Sequence, residues 1–445
     1  MEPTLIASKR PTYWNIVIHS VISFLGQSLM QVVDLLFCRD LGSQASATVG
    51  TATSLVAWFI ILGIGLVSSL EYLIPHALGA KEYRKANEYF YAGIVVCALT
   101  AIVSAFSLIL LSHFSQYYGM DPGIVKPVER FCWIVSTSYL PIYLIPLLRV
   151  ELQARAHPHD TTYAFIYGNL LNIVLNWVLV LGHLGFAAMG TDGSAYANVI
   201  SRYAILFYLI HRMIKVRATV GLKIPFREIH WLARGREIFK MGLPSTLHML
   251  FEIGAFIFVG TLASRLRPAQ NAAHAIALSI ASFAFMIPAG LSSAAAQTMS
   301  RALGEGNNED VGKLGYRTIK VGLAYALIGS CAFLAGKTLL VEAYTSDAET
   351  IAVGSGLLLI AAIFQFGDAM QVILAGCLRG LGETRIQAVV NGIGHWFIGI
   401  PTGVLLAFYF QMGIQGLWIG LCLGLFTVAS LLYYRFRLLL QKRSL

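Results

Sequence analysis

Charge is what this chain has least of. Lys, Arg, Asp and Glu make up 12% of its 445 residues, about half the share usual in soluble domains. That excludes a protein whose whole surface faces water. The six cysteines (Cys38, Cys97, Cys132, Cys331, Cys377, Cys422) are scattered, with neither paired loop positions nor metal-ligand spacing, so a disulfide framework and a cysteine-held metal are excluded as well. They read as small buried hydrophobes. No glycine-rich stretch has the form of a phosphate-binding loop, and no soluble nucleotide-binding domain is present, so ATP is not the direct energy source. No catalytic His/Asp cluster recurs in the apolar runs, which argues against an enzyme. "HPHD" (His157–Asp160) has metal-like residues but no companion ligands, and reads as a short loop.

What fills the chain instead is apolar: 57% hydrophobic residues and a mean hydropathy of +0.69. Runs long enough to cross a bilayer, about twenty residues each, recur near 12–38, 46–74, 88–112, 128–150, 162–183, 190–214, 238–266, 271–299, 315–342, 350–377, 386–410 and 414–438. The expectation is an all-α integral membrane protein of about twelve transmembrane helices. The first run is too long for a signal peptide and lacks a small-residue cleavage site, so it reads as helix one.

The net charge of +10 raises the question of nucleic acid, and the placement of the basic residues answers it. Lys9/Arg10, Lys81/Arg84/Lys85, Arg149/Arg155, Arg212 to Lys240, Arg301/Lys313/Arg317/Lys320, Arg379/Arg385 and Arg435 to Arg443 fall on one side of the expected spans. The other side has few. This is the positive-inside pattern, and it places both termini and the central connection in the cytoplasm, with no nucleic-acid partner. Within that connection "FREIHWLARGREIFK" (Phe226–Lys240) alternates basic and apolar residues and reads as an interfacial helix. It divides the chain into an N-terminal lobe 1–214, a linker 215–240 and a C-terminal lobe 241–445. "GLVSSLEYLIPHALG" (65–79) and "GLSSAAAQTMSRALG" (290–304) match at an offset of 225, and "MGTDGSAYA" (189–197) and "MGIQGLWIG" (412–420) at 223. A duplication of six helices predicts two six-helix lobes related by a pseudo-twofold along the membrane normal, facing each other across a cleft.

Acids inside apolar runs are costly, about 2.5–3.5 kcal/mol each at mid-membrane. Asp34, Glu252 and Asp368 are such acids. Asp34 either pairs with Arg39 or another helix, or binds a cation. Asn172 and Asn176 are four apart, which puts two amide oxygens on one helix face; they serve either as cation ligands or as interhelical hydrogen-bond partners. Glu252 and Asp368 have no base nearby in sequence, and either hydrogen-bond between helices or take up a proton or metal cation. Glu71, His76 and Glu151 lie near the cytoplasmic ends of helices two and four. They read as solvated end positions in preference to an inner gate paired with Arg149 or Arg155.

"VVDLLFCRDLGSQASATVG" followed by "ALGAKEYRKA", "NLLNIVLNWVLVLG", "MGLPSTLHMLFE", "MIPAGLSSAAAQTMSRALGEGN" and "FGDAMQVILAGCLRGLGETR", in that order and spacing, resemble the multidrug and toxic compound extrusion (MATE) family, closest to its NorM-type branch. The resemblance implies a cation site of Asp34, Asn172 and Asn176, with Asn198 at a helix-six position often occupied by Thr. It implies a second ion-coupling pair, Glu252 and Asp368. Two departures stand out: Phe364 replaces a Tyr common one turn before the helix-ten acid, and helix one lacks a proline that many relatives have. The implied function is a secondary antiporter in the cell (inner or plasma) membrane, acting as a monomer. It exports amphipathic, cationic compounds in exchange for Na+ or H+ and has no cofactor besides that ion. A lipid-linked oligosaccharide flippase is the alternative, although Arg202 is the one clear intramembrane base for a pyrophosphate. An ion channel, from a different class, lacks a filter-like loop.

Overall fold

In hydrocarbon a backbone must satisfy its own hydrogen bonds, and the chain does so with helices. A computed structural model describes residues 12–39, 41–114, 122–220 and 228–443. The helices are α1 (Tyr13–Arg39), α2 (Ser43–Ser68), α3 (Leu70–Gly79), α4 (Tyr83–His113), α5 (Pro122–Ser136), α6 (Tyr139–Ala154), α7 (Pro158–Leu179), α8 (Thr191–Val220), α9 (Trp231–Ala263), α10 (Pro268–Gly304), α11 (Asn308–Glu342) and α12 (Ala348–Gly380). Then come α13 (Arg385–Asn391), a π-helical segment Gly392–Gly399, α14 (Ile400–Val404), a second π-helical segment Leu405–Tyr409, and α15 (Gly413–Arg443).

Among the described residues ten spans are long and apolar enough to cross a membrane, and α5 with α6, bent by 41°, makes an eleventh. The thirty-residue α8 has the length for another crossing but carries Asp192, Arg202, His211 and Arg212. Large side chains such as Ile102, Val103 and Phe106 on α4 and Phe397 are exposed, as lipid-facing positions are.

The chain forms two compact units, 1–242 and 243–445. The first packs around Tyr139, Tyr143, Leu147, Leu70 and Ile74; the second around Trp418, Leu357, Ala361 and Leu425. The part of the interfacial stretch at 226–227 lies outside the described residues. From Trp231 onward it is no separate surface helix but the first turns of α9, because no breaker intervenes before Pro244.

Two irregularities follow from proline and glycine. Pro141 has no N–H to give the carbonyl four residues earlier, and there, between α5 and α6, the helix breaks. Tyr203 of α8 donates instead to the Thr137 carbonyl at 2.8 Å. In the 385–409 span, Pro401 likewise cannot continue the regular ladder, and the π-helical turns flank it. Along α15 the stripe Gly416, Gly420 and Gly424 accepts this span at backbone distance: a Cβ on Gly420 would lie 2.4 Å from Gly403 Cα.

Candidate cation sites

In the first unit, Asp34 on α1 is the centre of a closed polar group. Its Oδ1 accepts from Asn176 Nδ2 at 2.9 Å and from Asn172 Nδ2 at 3.3 Å, and its Oδ2 accepts from Asn198 Nδ2. The four predicted residues therefore come together from α1, α7 and α8. Asn172 and Asn176 are wholly buried and Asp34 is 7% exposed. The alternative partner Arg39 has a side chain outside the described set.

Each amide that donates to Asp34 leaves its own oxygen behind: Oδ1 of Asn172, Asn176 and Asn198 is buried without a hydrogen-bond partner. An asparagine amide can turn to present oxygen in place of nitrogen. With the amides turned, the group becomes one carboxylate and up to three neutral oxygens, a donor set that suits a hard cation.

Two further residues belong to this neighbourhood: Asn169, which the sequence reading did not name, and Arg202, which it named as an intramembrane base without assigning it to Asp34. Asn169, three before Asn172, donates to the Gly26 carbonyl at 3.0 Å, where α1 and α7 approach so closely that a Cβ on Gly26 would lie 3.0 Å from Phe165 Cβ. Helix α1 runs unbroken through this glycine. Arg202, one turn after Asn198, donates to Ser138 Oγ at 2.9 Å at the α5–α6 break, and its charge acts on Asp34.

In the second unit Glu252 on α9 and Asp368 on α12 are both buried, at 8% and 4% exposed, and close enough to interact electrostatically. Glu252 Oε1 accepts from Gln371 Nε2, while its Oε2 lies 3.7 Å from His248 Nε2. His248 Nδ1 in turn meets Asn391 Nδ2 at 3.0 Å. Gln371, His248 and Asn391 are additions the sequence reading did not make. Same-face spacing would have found Gln371, three after Asp368, and His248, four before Glu252. Phe364 is buried against Trp418, rings 5.4 Å apart, so the position that lacks a Tyr hydroxyl is filled by core packing.

The expectation of solvated acids at the helix ends is overturned. Glu71 is 5% exposed and meets Arg149 at 3.4 Å; Glu151 is 0% exposed and meets Arg155 at 2.7 Å and Arg217 at 3.2 Å. Arg155 and Arg217 also share Asn87 Oδ1, each at 2.8 Å, and Arg217 lies over the Phe90 ring at 4.0 Å. Glu151 can be buried because Arg155, at the end of α6, and Arg217 of α8 converge on its carboxylate. Next to this network Glu88 takes Arg234 at 2.8 Å and Arg84 at 3.4 Å, and Tyr89 donates to Glu237, fastening the first turns of α9 to α4. Asp160 of the "HPHD" stretch pairs with Arg212 at 2.8 Å. Among the described residues no group of three or more His, Cys, Asp or Glu could hold a metal ion.

A sequence model of the MatE family matches residues 20–178 and again 244–405. The chain belongs to the MATE family. The two matches begin 224 positions apart, close to the offsets of the internal repeats. Within the family the chain is NorM-like. It is 30% identical over 430 residues to the probable multidrug resistance protein NorM of Mesorhizobium japonicum, covering 93% of this chain and 91% of that one. It is 30% identical over 428 residues to the multidrug resistance protein NorM of Burkholderia vietnamiensis, covering 94% and 91%. Among solved structures, the eukaryotic MATE transporter AtDTX14 superposes with a TM-score of 0.88 at 23% identity, over 97% of each chain. An outward-facing multidrug resistance MATE transporter of the MOP superfamily superposes with 0.89 at 18% identity, over 100% of this chain and 99% of that one. At those identities the likeness speaks for the fold: an all-α membrane protein of MATE architecture.

Proposed function

We propose that this MATE protein is a secondary active antiporter of the cell membrane that exports amphipathic, cationic compounds in exchange for Na+ or H+. Both termini lie in the cytoplasm, and the chain acts as a monomer. The observation that carries the reading is the buried carboxylate of Asp34 ringed by three amides with unpaired oxygens. The NorM relatives, named as multidrug resistance proteins, supply the class of cargo.

The chemistry follows from what each side chain can do. With no ion bound, the three amides donate to Asp34 and stabilise its charge. An entering Na+ is met by carboxylate and by amide oxygens as the amides turn; an entering proton neutralises Asp34 directly. Either event changes how α1, α7 and α8 hold one another. Glu252 and Asp368 make a second place for a cation, where two acids in mutual repulsion gain from one positive charge. Alternating access then couples uptake of the ion outside to release of cargo there.

Vesicles that contain the full chain test this with ethidium efflux under imposed Na+ or pH gradients. The gradient that drives efflux names the ion. Unchanged efflux in Asp34→Asn, Glu252→Gln and Asp368→Asn alike would overturn the mechanism.

A further inference from the structure

Helices α1 and α8 pass each other antiparallel, and the residues that meet keep one register. Asp34 takes Asn198. One turn further along α1 and one turn earlier on α8, Cys38 stands beside Ser194. Just past the ends of the two helices, Leu41 Cδ1 is the nearest atom to a Cβ on Gly190, at 3.7 Å. Steps of three or four forward on one chain segment match steps of four back on the other, so the three pairs lie on one seam.

The middle pair consists of two small polar side chains, both wholly buried. Ser194 Oγ lies next to the Cys38 thiol without completing a hydrogen bond. An oxygen is therefore stranded one turn away from the three stranded amide oxygens around Asp34. A buried hydroxyl without a partner is costly, and an alanine would pack as closely without that cost.

Beyond this pair the seam ends at the surface. Leu41 is exposed, and Asp192, two before Ser194, pairs with Arg130 of α5 at 2.8 Å. The Arg130 side chain is 69% exposed, and an ion pair so exposed is weak and opens easily. The start of α8 is fixed to α7: Met189 N donates to the Leu179 carbonyl at 2.8 Å, and a Cβ on Gly193 would lie 2.6 Å from the same oxygen. Movement at the Cys38–Ser194 pair thus falls to the last turn of α1. Asp34 is separated from the membrane face opposite the N-terminus by one pair of small side chains.

We propose that Cys38 and Ser194 are the outer plug of the Asp34 site: the coupling cation passes between them, meeting Asp192 first, then Ser194 Oγ, then Asn198 and Asp34. The inference rests on the reading of Asp34 as a cation site and on the cytoplasmic placement of the termini, which makes this face the outer one.

The test uses the full-length wild-type chain in vesicles with its outer face outward and a thiol scavenger inside. A methanethiosulfonate reagent is added outside in a cationic (ethylammonium) or an anionic (ethylsulfonate) form, each rate is taken relative to that of a free thiol, and peptide mass spectrometry reads every cysteine. Cys97 and Cys377, as deeply buried as Cys38, are internal references. Cys38 is expected to react with the cationic reagent at least about tenfold faster than either reference, and at least about tenfold faster than with the anionic reagent, because a carboxylate in a narrow passage concentrates counter-ions to that extent. Asp34→Asn removes the preference for positive charge. Ser194→Leu slows labelling of Cys38 at least about tenfold, while Ser54→Leu, the same change at an exposed position of α2, does not. Continued protection of Cys377 in each variant shows that the fold is intact. Four results would overturn the proposal: labelling of Cys38 no faster than that of the references, equal rates with the two reagents, a charge preference that survives Asp34→Asn, or unchanged labelling in Ser194→Leu. Labelling requires no transport, so a wild type whose ethidium efflux follows no ion gradient would fail the antiport reading separately.

Discussion

Asp34 meets amide hydrogens, and every amide that serves it strands an oxygen. A buried acceptor without a partner costs about 1–3 kcal/mol, so on the proposed reading the group gains when a cation arrives and the amides turn. Replacing Asp34 by Asn removes the charge that makes this worthwhile, and ion-driven ethidium efflux is expected to fall by at least about tenfold, measured as the initial rate in vesicles. Arg202 works in the opposite sense. Its guanidinium already supplies positive charge to Asp34, so a mobile cation must enter against it. If Na+ is the coupled ion, Arg202→Gln, which removes the charge and keeps a polar side chain, is expected to lower the Na+ concentration for half-maximal efflux by about three- to tenfold. An unchanged Na+ titration would show that the field of Arg202 does not reach the site. At this scale the sequence was legible where residues of one helix share a face: Asn172 and Asn176 are visible as a pair, and Gln371 and His248 follow from the same rule. Asn391 does not, because it precedes a π-helical segment in which the 3.6-residue period fails. Glu71 and Glu151 looked solvated because an acid near a helix end normally is, and nothing in linear sequence announces that Arg217, from another helix, will close over Glu151.

Elements show where the chain tolerates least change. Glu151 holds α6 to α8 through Arg217, and Arg155 and Arg217 both also donate to Asn87 Oδ1 of α4. Removal of Glu151 leaves the buried Arg155 and the partly buried Arg217 short of a counter-charge, at a cost of about 3–5 kcal/mol. Glu151→Ala is expected to lower the thermal midpoint of the purified protein sharply, and Glu151→Gln less so. On α15 a methyl at Gly420 would press on Gly403 and on the Gly399 carbonyl, 2.5 Å away. Gly420→Ala is expected to destabilise by about 1–3 kcal/mol, read in the same melting assay. Asp347, between α11 and α12, caps α12 by accepting from Thr350 N at 2.9 Å and Thr350 Oγ1 at 2.6 Å, and these bonds hold its carboxyl below the usual range. The sign follows: the cap stabilises above the ordinary carboxylate range near ~4 and is lost as pH falls through the lowered value. Melting curves of wild type and Asp347→Ala are expected to differ at neutral pH and to converge in acid. Helix existence was legible from apolar length alone. The breaks needed knowledge of partners, since a proline tells where a carbonyl is freed but not that Tyr203 will take it up.

For the whole molecule, α8 decides the parity. Among the described residues, ten plain spans and one bent pair give an odd number of crossings, and with α8 the number becomes even. Reporter fusions at the two ends are expected to give the same cytoplasmic signal; opposite signals would mean that α8 does not cross. The duplication was visible in the sequence as short repeats and recurs in the two family matches. The sequence reading begins the C-terminal lobe at 241, after a linker 215–240, and the two compact units divide after Gly242, within α9. α9 opens on the polar network of the first unit and carries Glu252 in the second. A gene split between the codons for Val220 and Glu228 would therefore give two fragments of which the second still bears Arg234 and Glu237, its own handle for Glu88 and Tyr89. A split after Gly242 would leave that handle on the wrong piece. Of two cuts that each separate one half from the other, only the first is expected to yield fragments that find each other when made as separate chains.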